Sequence, residues 1–225
     1  LTTRQQDYDA RLERMNTIAQ EYGMVVGSEG GNDYAANTIA FAHGIELQTF
    51  SWMDEDMKGN KESEYYLGRW YAANGGVPEK FSKQVPIKEK YRDLFLNPVY
   101  TVPLYKLVYH NAVITGYHWD WPTLKIAGEV ENRMLYEMLY NVPPMFHLDK
   151  FQWEEHGATI AAHVQVWSDW SRKIIHEEMS GFEVLTGDRL VQLARYGNNW
   201  IVVNWSGQPF SYEGNTVEAG GFLLG

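Results

Sequence analysis

The stretch Met24–Gly31, MVVGSEGG, sets a carboxylate and two glycines directly behind a short apolar run. Such a run is typical of a parallel strand buried on both faces, and the glycines let backbone and ligand approach closely. In a (β/α)8 barrel the chemistry lies at the carboxyl ends of the strands. We therefore predict that Glu29 is a catalytic acid. The alternative is that Glu29 caps the next helix, with Asn32 and Asp33 as competing caps.

Helices and strands alternate along the chain around this stretch. Apolar residues three or four apart predict an amphipathic helix over 4–22, and Gly23 ends it just before the strand that carries Glu29. Further along, we expect helices over 33–43, 132–140 and 156–176, and strands over 45–52, 103–113 and 144–148. Alternation of this kind is the repeating step of an α/β barrel. The predicted fold class is therefore α/β, with residues 1–179 belonging to a (β/α)8 TIM-type barrel.

Two segments depart from this alternation. Residues 53–97 are charged and rich in tyrosine, which predicts a long excursion with short helices, of the kind that forms substrate pockets in barrel enzymes. From residue 180 onward, short apolar runs are separated by glycine and asparagine turns. This second pattern predicts a small antiparallel β-sandwich-like domain over 180–225.

The composition excludes several classes of partner. The net charge is −10, the pI is about 5.2 and Lys and Arg form no cluster, so we expect no binding of nucleic acid. No apolar run approaches the roughly 18 residues of a membrane span. The absence of cysteine excludes disulfides and cysteine nucleophiles but does not decide the compartment, for which we favour an extracellular or periplasmic location. The 9 tryptophans and 15 tyrosines suit sugar rings or a large core.

Four short motifs, taken in order, resemble one family of enzymes. They are the strand end GSEGG over 27–31, the segment PLYKLVYHN over 103–111, the tryptophan-rich turn around Asp120, and the runs Leu185–Asp188 and Val203–Trp205. Together they resemble the C-terminal half of the catalytic barrel, and the β domain behind it, in glycoside hydrolases related to families 101 and 129. The resemblance implies action on α-linked N-acetylgalactosamine.

The resemblance also implies a mechanism. In those families an Asp nucleophile and a Glu acid/base stand at the ends of neighbouring barrel strands and act with retention. Glu29 matches the acid/base, and the nucleophile would stand one βα unit earlier, before the helix that begins near Arg4. We therefore expect this chain to lack its nucleophile, to require the missing N-terminal part of the barrel and to be inactive alone. The alternative is that Glu29 works with Asp120.

The residues indicate similar chemistry without the family. Glycoside hydrolysis needs one carboxyl group that stays protonated near neutral pH, and a poorly solvated aromatic site favours that protonated form. Trp52, Trp119 and Trp121 are the predicted walls of such a site for a carbohydrate substrate. The alternative is that each of these tryptophans belongs to the core.

Three further polar residues are candidates for substrate binding. His110 and Asn111, at the end of the predicted strand 103–113, would hydrogen-bond sugar hydroxyls. The family usually carries a carboxylate at the position of Asn111, so this sequence offers no charged contact there. His118 is either a pocket residue or a surface residue.

We expect no cofactor. The seven histidines lack the two-histidine, one-carboxylate spacing of a transition-metal site, and the sequence holds no phosphate-binding glycine loop or Gly-x-Ser-x-Gly elbow. The run Asp54–Asp56 offers oxygens to calcium but lacks the EF-hand pattern. A solvated acidic loop is therefore expected there, and calcium stays open without an assigned site.

The favoured function is hydrolysis of α-linked sugars by a retaining two-carboxylate mechanism. A different or inverting barrel glycosidase is the first alternative, since carboxylates about 5 Å apart indicate retention and roughly 6.5–9.5 Å indicates inversion. A non-catalytic carbohydrate-binding protein that keeps the aromatic cleft is the second.

Overall fold

A computed structural model describes residues 2–45, 54–72, 76–95, 97–101 and 103–225. The helices of these residues are α1 (Arg4–Asn16), α2 (Glu55–Gly59), α3 (Glu79–Ser82), α4 (Glu89–Phe95), α5 (Leu104–Tyr109), α6 (Val130–Tyr140) and α7 (Lys150–Ile174). The strands are β1 (Gly27–Glu29), β2 (Phe41–His43), β3 (Val85–Pro86), β4 (Ile114–Gly116), β5 (Ile126–Ala127), β6 (Met179–Val184), β7 (Val191–Tyr196), β8 (Asn199–Asn204), β9 (Phe210–Tyr212), β10 (Asn215–Val217) and β11 (Gly221–Leu224). The fold is mixed α/β.

The first helix confirms the prediction for residues 4–22. A capping box starts α1: the Gln6 backbone N–H donates to Thr3 Oγ1 at 3.2 Å, and the Thr3 backbone N–H donates to Gln6 Oε1 at 2.9 Å. A π-helical turn over Thr17–Glu21 extends the helix, and Gly23 follows with φ +62°. This positive φ favours glycine and ends the helix before β1.

Three parallel strands position the candidate acid. Strand β2 lies between β1 and β4, and the register sets Glu29, His43 and Gly116 side by side. In a parallel sheet the carboxyl ends of neighbouring strands lie at one edge, so the residues that follow these strands also converge there.

Glycines let the strands pack closely and turn sharply. A Cβ at Gly27 would overlap the Phe41 ring of the neighbouring strand, so this ring packs directly on the glycine backbone. Gly30 and Gly44 directly follow β1 and β2 with φ of +76° and +80°. Both strands therefore end in a polar residue followed by a left-handed glycine.

Several expected elements differ from the structure. The helix expected over 33–43 is wrong, because only a 3-10 turn forms at Asp33–Ala35 and Phe41–His43 pairs between β1 and β4 as a strand. The strand expected over 144–148 is wrong as well. Pro143 and Pro144 remove two backbone donors, and the structure shows no regular element over 141–149. The strand expected over 45–52 lies outside the described residues from position 46 onward.

The strand expected over 103–113 is a helix, α5, followed by β4. Tyr105 and Tyr109, four residues apart, pack on the core cluster beside the parallel sheet. Leu104 and Val108, also four apart, are exposed. Partly buried and exposed residues therefore each recur every four positions, which is the spacing of a helix. This spacing outweighs the aromatic and β-branched composition, which favours a strand.

The strand that carries Glu29 is also less buried than expected. Met24 and Val25, which precede β1, are 61% and 76% exposed, and Gly27 and Glu29 within β1 are exposed as well. The reason is that β1 is an edge of the parallel sheet within the described part of the chain.

The expected antiparallel strands at the C-terminal end are confirmed. Four of them form a sheet in the order β11-β8-β7-β6, and β9 and β10 form a hairpin. One face of the sheet, with Tyr196 and Val203, packs on α6 and α7, and the other face, with Leu193 and Val202, packs on the hairpin. Helices α6 and α7 confirm the helices expected near 132–140 and 156–176.

The excursion over 53–97 contains the expected short helices, α2, α3 and α4. It packs through a small core that includes Leu67, Trp121 and Ile126. Beside this core lies Lys125, 2% exposed, whose Nζ donates to the backbone carbonyls of Leu67, Lys80 and Lys83 at 3.1, 2.5 and 2.9 Å. The Lys125 side chain therefore holds Leu67 and Lys83, the two ends of the segment 67–83, close to each other.

We predict a pH dependence from Lys125. Burial, and secondarily the charge of Lys80, lower the pKa of Lys125 to about 7. Because the unfolded pKa is near 10.4, the unfolded state binds more protons between these values, and stability should rise with pH there by up to about 4 kcal/mol. In thermal unfolding of the full-length protein at pH 6.5 and pH 9.5, wild type should gain stability relative to Lys125→Met. In the control Lys90→Met, at an exposed lysine, the unfolding temperature should change with pH as in wild type. A difference in unfolding temperature between wild type and Lys125→Met that is the same at both pH values would contradict the account.

Candidate active site

Glu29 ends β1 with its side chain 57% exposed. Its Oε1 lies 2.8 Å from Nε2 of His118, which follows β4. The contact therefore joins the end of β1 to the loop that follows β4, although β2 lies between these two strands. The alternative role of Glu29 as a helix cap is wrong, because Asn32 caps the next turn by accepting from the Ala35 backbone N–H at 3.2 Å.

The second ring nitrogen of His118 indicates which tautomer faces Glu29. The backbone N–H of Asp120 donates to His118 Nδ1 at 3.3 Å. A ring nitrogen that accepts a hydrogen bond carries no proton, so in the neutral imidazole the proton lies on Nε2. This contact favours the tautomer with the proton on Nε2, which donates to Glu29 Oε1.

Asp120 is buried behind His118. Its Oδ2 lies 3.4 Å from Lys80 Nζ and 3.7 Å from His118 Nδ1. Burial lowers the pKa of Lys80, and the neighbouring Asp120 carboxylate opposes that shift. Within the described ranges, the buried Oδ1 of Asp120 has no hydrogen-bond partner. Asp120 is thus 6% exposed and held in an ion pair rather than presented to solvent.

Aromatic rings lie against this cluster. The Trp119 ring centroid is 4.4 Å from that of His118 and 5.4 Å from that of His43, and Trp119 is 40% exposed. His43 Nε2 is buried and finds no hydrogen-bond partner among the residues that the structure describes. Trp119 therefore offers an apolar surface next to His43, at the carboxyl end of the parallel sheet where Glu29 lies.

The other predicted site residues lie elsewhere. Trp121 is 2% exposed and belongs to the core under the excursion. The placement of His110 and Asn111 at a strand's carboxyl end is wrong, because both follow α5 and precede β4. They line a cavity of about 500 Å³ at the amino edge of the sheet, where Asn111 Oδ1 accepts from the Met179 backbone N–H at 2.8 Å. Trp52 lies outside the described residues.

Sequence reasoning missed His43 and Lys80. His43 had a usable signal, since it ends a short strand and precedes a glycine as Glu29 does. Lys80 had none, because it reaches Asp120 only through the packing of the excursion.

The acidic run at the start of the excursion is occupied by lysine. Asp54 caps α2, and Lys88 Nζ lies 2.9 Å from Asp54 Oδ1 and 3.0 Å from Asp56 Oδ2. These contacts lower the pKa of Asp56 to about 2, the hydrogen bond from Lys88 being the largest cause. The run therefore does not fit a calcium site. Over the described ranges, no group of three or more His, Asp or Glu gathers that could hold a metal ion.

Of the helices in the described segments, none has both the length and the apolar character needed to cross a bilayer.

The described residues combine a short parallel sheet, with a carboxylate at the carboxyl end of one strand, and an antiparallel sheet later in the chain, which is an α/β architecture. The family model "Glycosyl hydrolases related to GH101 family, GH129" matches residues 1–195. The chain therefore belongs to this family, a family of glycosidases. Comparison with curated proteins gives no match.

Solved structures of one enzyme, the α-N-acetylgalactosaminidase NagBb from Bifidobacterium bifidum, are similar in fold. Its ligand-free form is 22% identical with a TM-score of 0.52, over 90% of this chain and 26% of that one. Its GalNAc complex is 19% identical with a TM-score of 0.54, over 100% and 28%. The chain thus spans about a quarter of the length of the structures it matches.

Trp119 and Trp121 should respond differently to truncation. Trp119→Ala should weaken sugar binding by roughly 1 kcal/mol, because an exposed aromatic face is lost. Trp121→Ala should instead cost about 3–5 kcal/mol of stability, because it opens a core cavity. Titration calorimetry and thermal unfolding of both variants in the full-length protein separate these effects. Unchanged sugar affinity in Trp119→Ala would refute the pocket placement.

Proposed function

We propose that this chain supplies the acid/base of a retaining α-glycosidase, and that residues 1–179 form the C-terminal part of its (β/α)8 barrel. The observation that carries the proposal is the Glu29 carboxylate at the carboxyl edge of a parallel sheet, oriented by His118 at 2.8 Å. Family membership supports the reaction class. The name of NagBb supports α-N-acetylgalactosaminide as the substrate.

Glu29 would act twice in this mechanism. As an acid it gives its proton to the glycosidic oxygen while the bond from that oxygen to the anomeric carbon breaks and a carboxylate nucleophile bonds to the same carbon. As a base it then takes a proton from the water that attacks the anomeric carbon and expels the nucleophile. The solvent-open position of Glu29 leaves room for both the leaving group and that water.

His118 would orient Glu29 for these steps. A neutral imidazole that donates from Nε2 holds one carboxylate oxygen and leaves the other available for the substrate. The backbone N–H of Asp120 fixes the tautomer from the opposite side of the ring. This arrangement lets Glu29 exchange a proton while its rotamer stays fixed.

The burial of Asp120 indicates that a different carboxylate is the nucleophile. A nucleophile must reach the anomeric carbon, whereas Asp120 is 6% exposed and paired with Lys80. We therefore propose that the second carboxylate comes from outside the described residues, in agreement with the expected need for the rest of the barrel. A separate β domain over 180–225, a carbohydrate as the partner and an extracellular or periplasmic location are further parts of the proposal.

Replacing the acid tests the proposal. Glu29→Gln keeps the shape but removes the proton donor, so kcat in the full-length protein should fall by about 10² to 10⁴ on substrates with poor leaving groups and by less on activated aryl substrates. Azide needs no general base, so it should restore turnover of an activated substrate and yield the α-glycosyl azide. NMR of the first product separates the outcomes.

The control for this test is Glu21→Gln, a substitution in the turn after α1. It should behave as wild type on both substrate classes. Equal, small losses on both classes in Glu29→Gln would remove Glu29 from the acid/base role. A first-formed β-anomer from wild type would indicate inversion.

A further inference from the structure

We propose that Trp70 forms a binding surface for a ring in the leaving group, either a sugar ring or an aryl ring. The proposal rests on the proposed function, since a leaving group exists only if the protein cleaves a glycoside. It assigns a role to the excursion that the acid/base chemistry does not use.

Trp70 is exposed and yet fixed in place. Its side chain is 53% exposed, and Lys80 Nζ lies 3.4 Å from its ring centroid. Phe81 meets the Trp70 ring edge-to-face at 5.8 Å. A ring held by a cation and a neighbouring ring loses little conformational entropy when a ligand stacks on it.

Two routes of contact run from Trp70 toward the residues around Glu29. Lys80, which lies over Trp70, pairs with Asp120 at 3.4 Å, and Asp120 adjoins the His118 ring that contacts Glu29. The second route is aromatic and ends at Trp119. Phe81 stacks on His147 at 5.1 Å, and His147 Nε2 lies 2.8 Å from the Trp119 carbonyl oxygen. Trp70 is thus linked to the residues around Glu29 through Lys80 and Asp120, and to Trp119 through Phe81 and His147.

The chemistry of the acid indicates what this surface would bind. The acid of a glycosidase protonates the oxygen that joins the cleaved sugar to the leaving group, so the leaving group passes close to the acid. Sugar rings have apolar C–H faces and aryl rings have flat faces, and both stack on tryptophan. The Lys80 charge is paired with Asp120, which leaves the exposed part of the ring as an apolar surface.

The test compares substrates with and without a ring in the leaving group. The full-length protein is given an aryl α-N-acetylgalactosaminide, a disaccharide with the same α-linked sugar, and the α-glycosyl fluoride, which has no such ring. In Trp70→Ala, the ratio of kcat/KM for each ring-bearing substrate over the fluoride should fall by roughly three- to tenfold. Trp70→Phe should restore part of the ratio. The control Trp153→Ala, at a residue equally exposed (52%) on α7, should leave the ratio unchanged.

The outcomes distinguish the two proposals. A fall for the aryl substrate alone, or for the disaccharide alone, identifies which ring Trp70 binds. An unchanged ratio in Trp70→Ala, or the same fall in Trp153→Ala, overturns the assignment. If wild type hydrolyses none of the three substrates, the proposed function fails and the leaving-group role of Trp70 fails with it. Disaccharide titration of Glu29→Gln with and without Trp70→Ala then tests only whether Trp70 binds a sugar ring. Equal affinity in that titration overturns that binding role.

Discussion

The hydrogen bond between His118 Nε2 and Glu29 Oε1 links the end of β1 to the loop after β4. It exists because β1, β2 and β4 run in the same direction with matched register, so that residues distant in the chain meet at one edge. Each strand is short, and the glycine after β1 and β2 turns the backbone away at once. Glu29 and His43 therefore lie at the carboxyl end of the sheet, where the backbone turns away from the strands.

A chain of polar contacts lies behind this bond. Lys80 pairs with Asp120, Asp120 adjoins His118, and His118 contacts Glu29, and burial increases from Glu29 towards Asp120. A buried carboxylate is costly without a partner, so Lys80 offsets the desolvation of Asp120. The same lysine lies over Trp70. The packing of the excursion and the electrostatics of the edge are thus coupled through one side chain.

Local patterns in the sequence were sufficient for part of this arrangement. The run before Glu29 with its following glycines predicted a strand end, and the period-two alternation of Ile201, Val202 and Val203 matches the two covered faces of the C-terminal sheet. The strand predicted over 103–113 is wrong because its valines and tyrosines suit a strand while their spacing suits a helix. His110 and Asn111 consequently fell at the opposite edge. Lys80 depends on packing between distant segments, which no local pattern encodes.

The most direct test is a crystal structure of the full-length protein with an uncleaved α-S-linked N-acetylgalactosaminide, in which sulfur replaces the glycosidic oxygen. The account predicts a Glu29 carboxylate oxygen within about 3.5 Å of that sulfur, close to hydrogen-bond reach, with His118 still bound to the other oxygen. A ligand bound with its sulfur more than about 6 Å from Glu29, beyond the reach of direct proton transfer, would contradict the account.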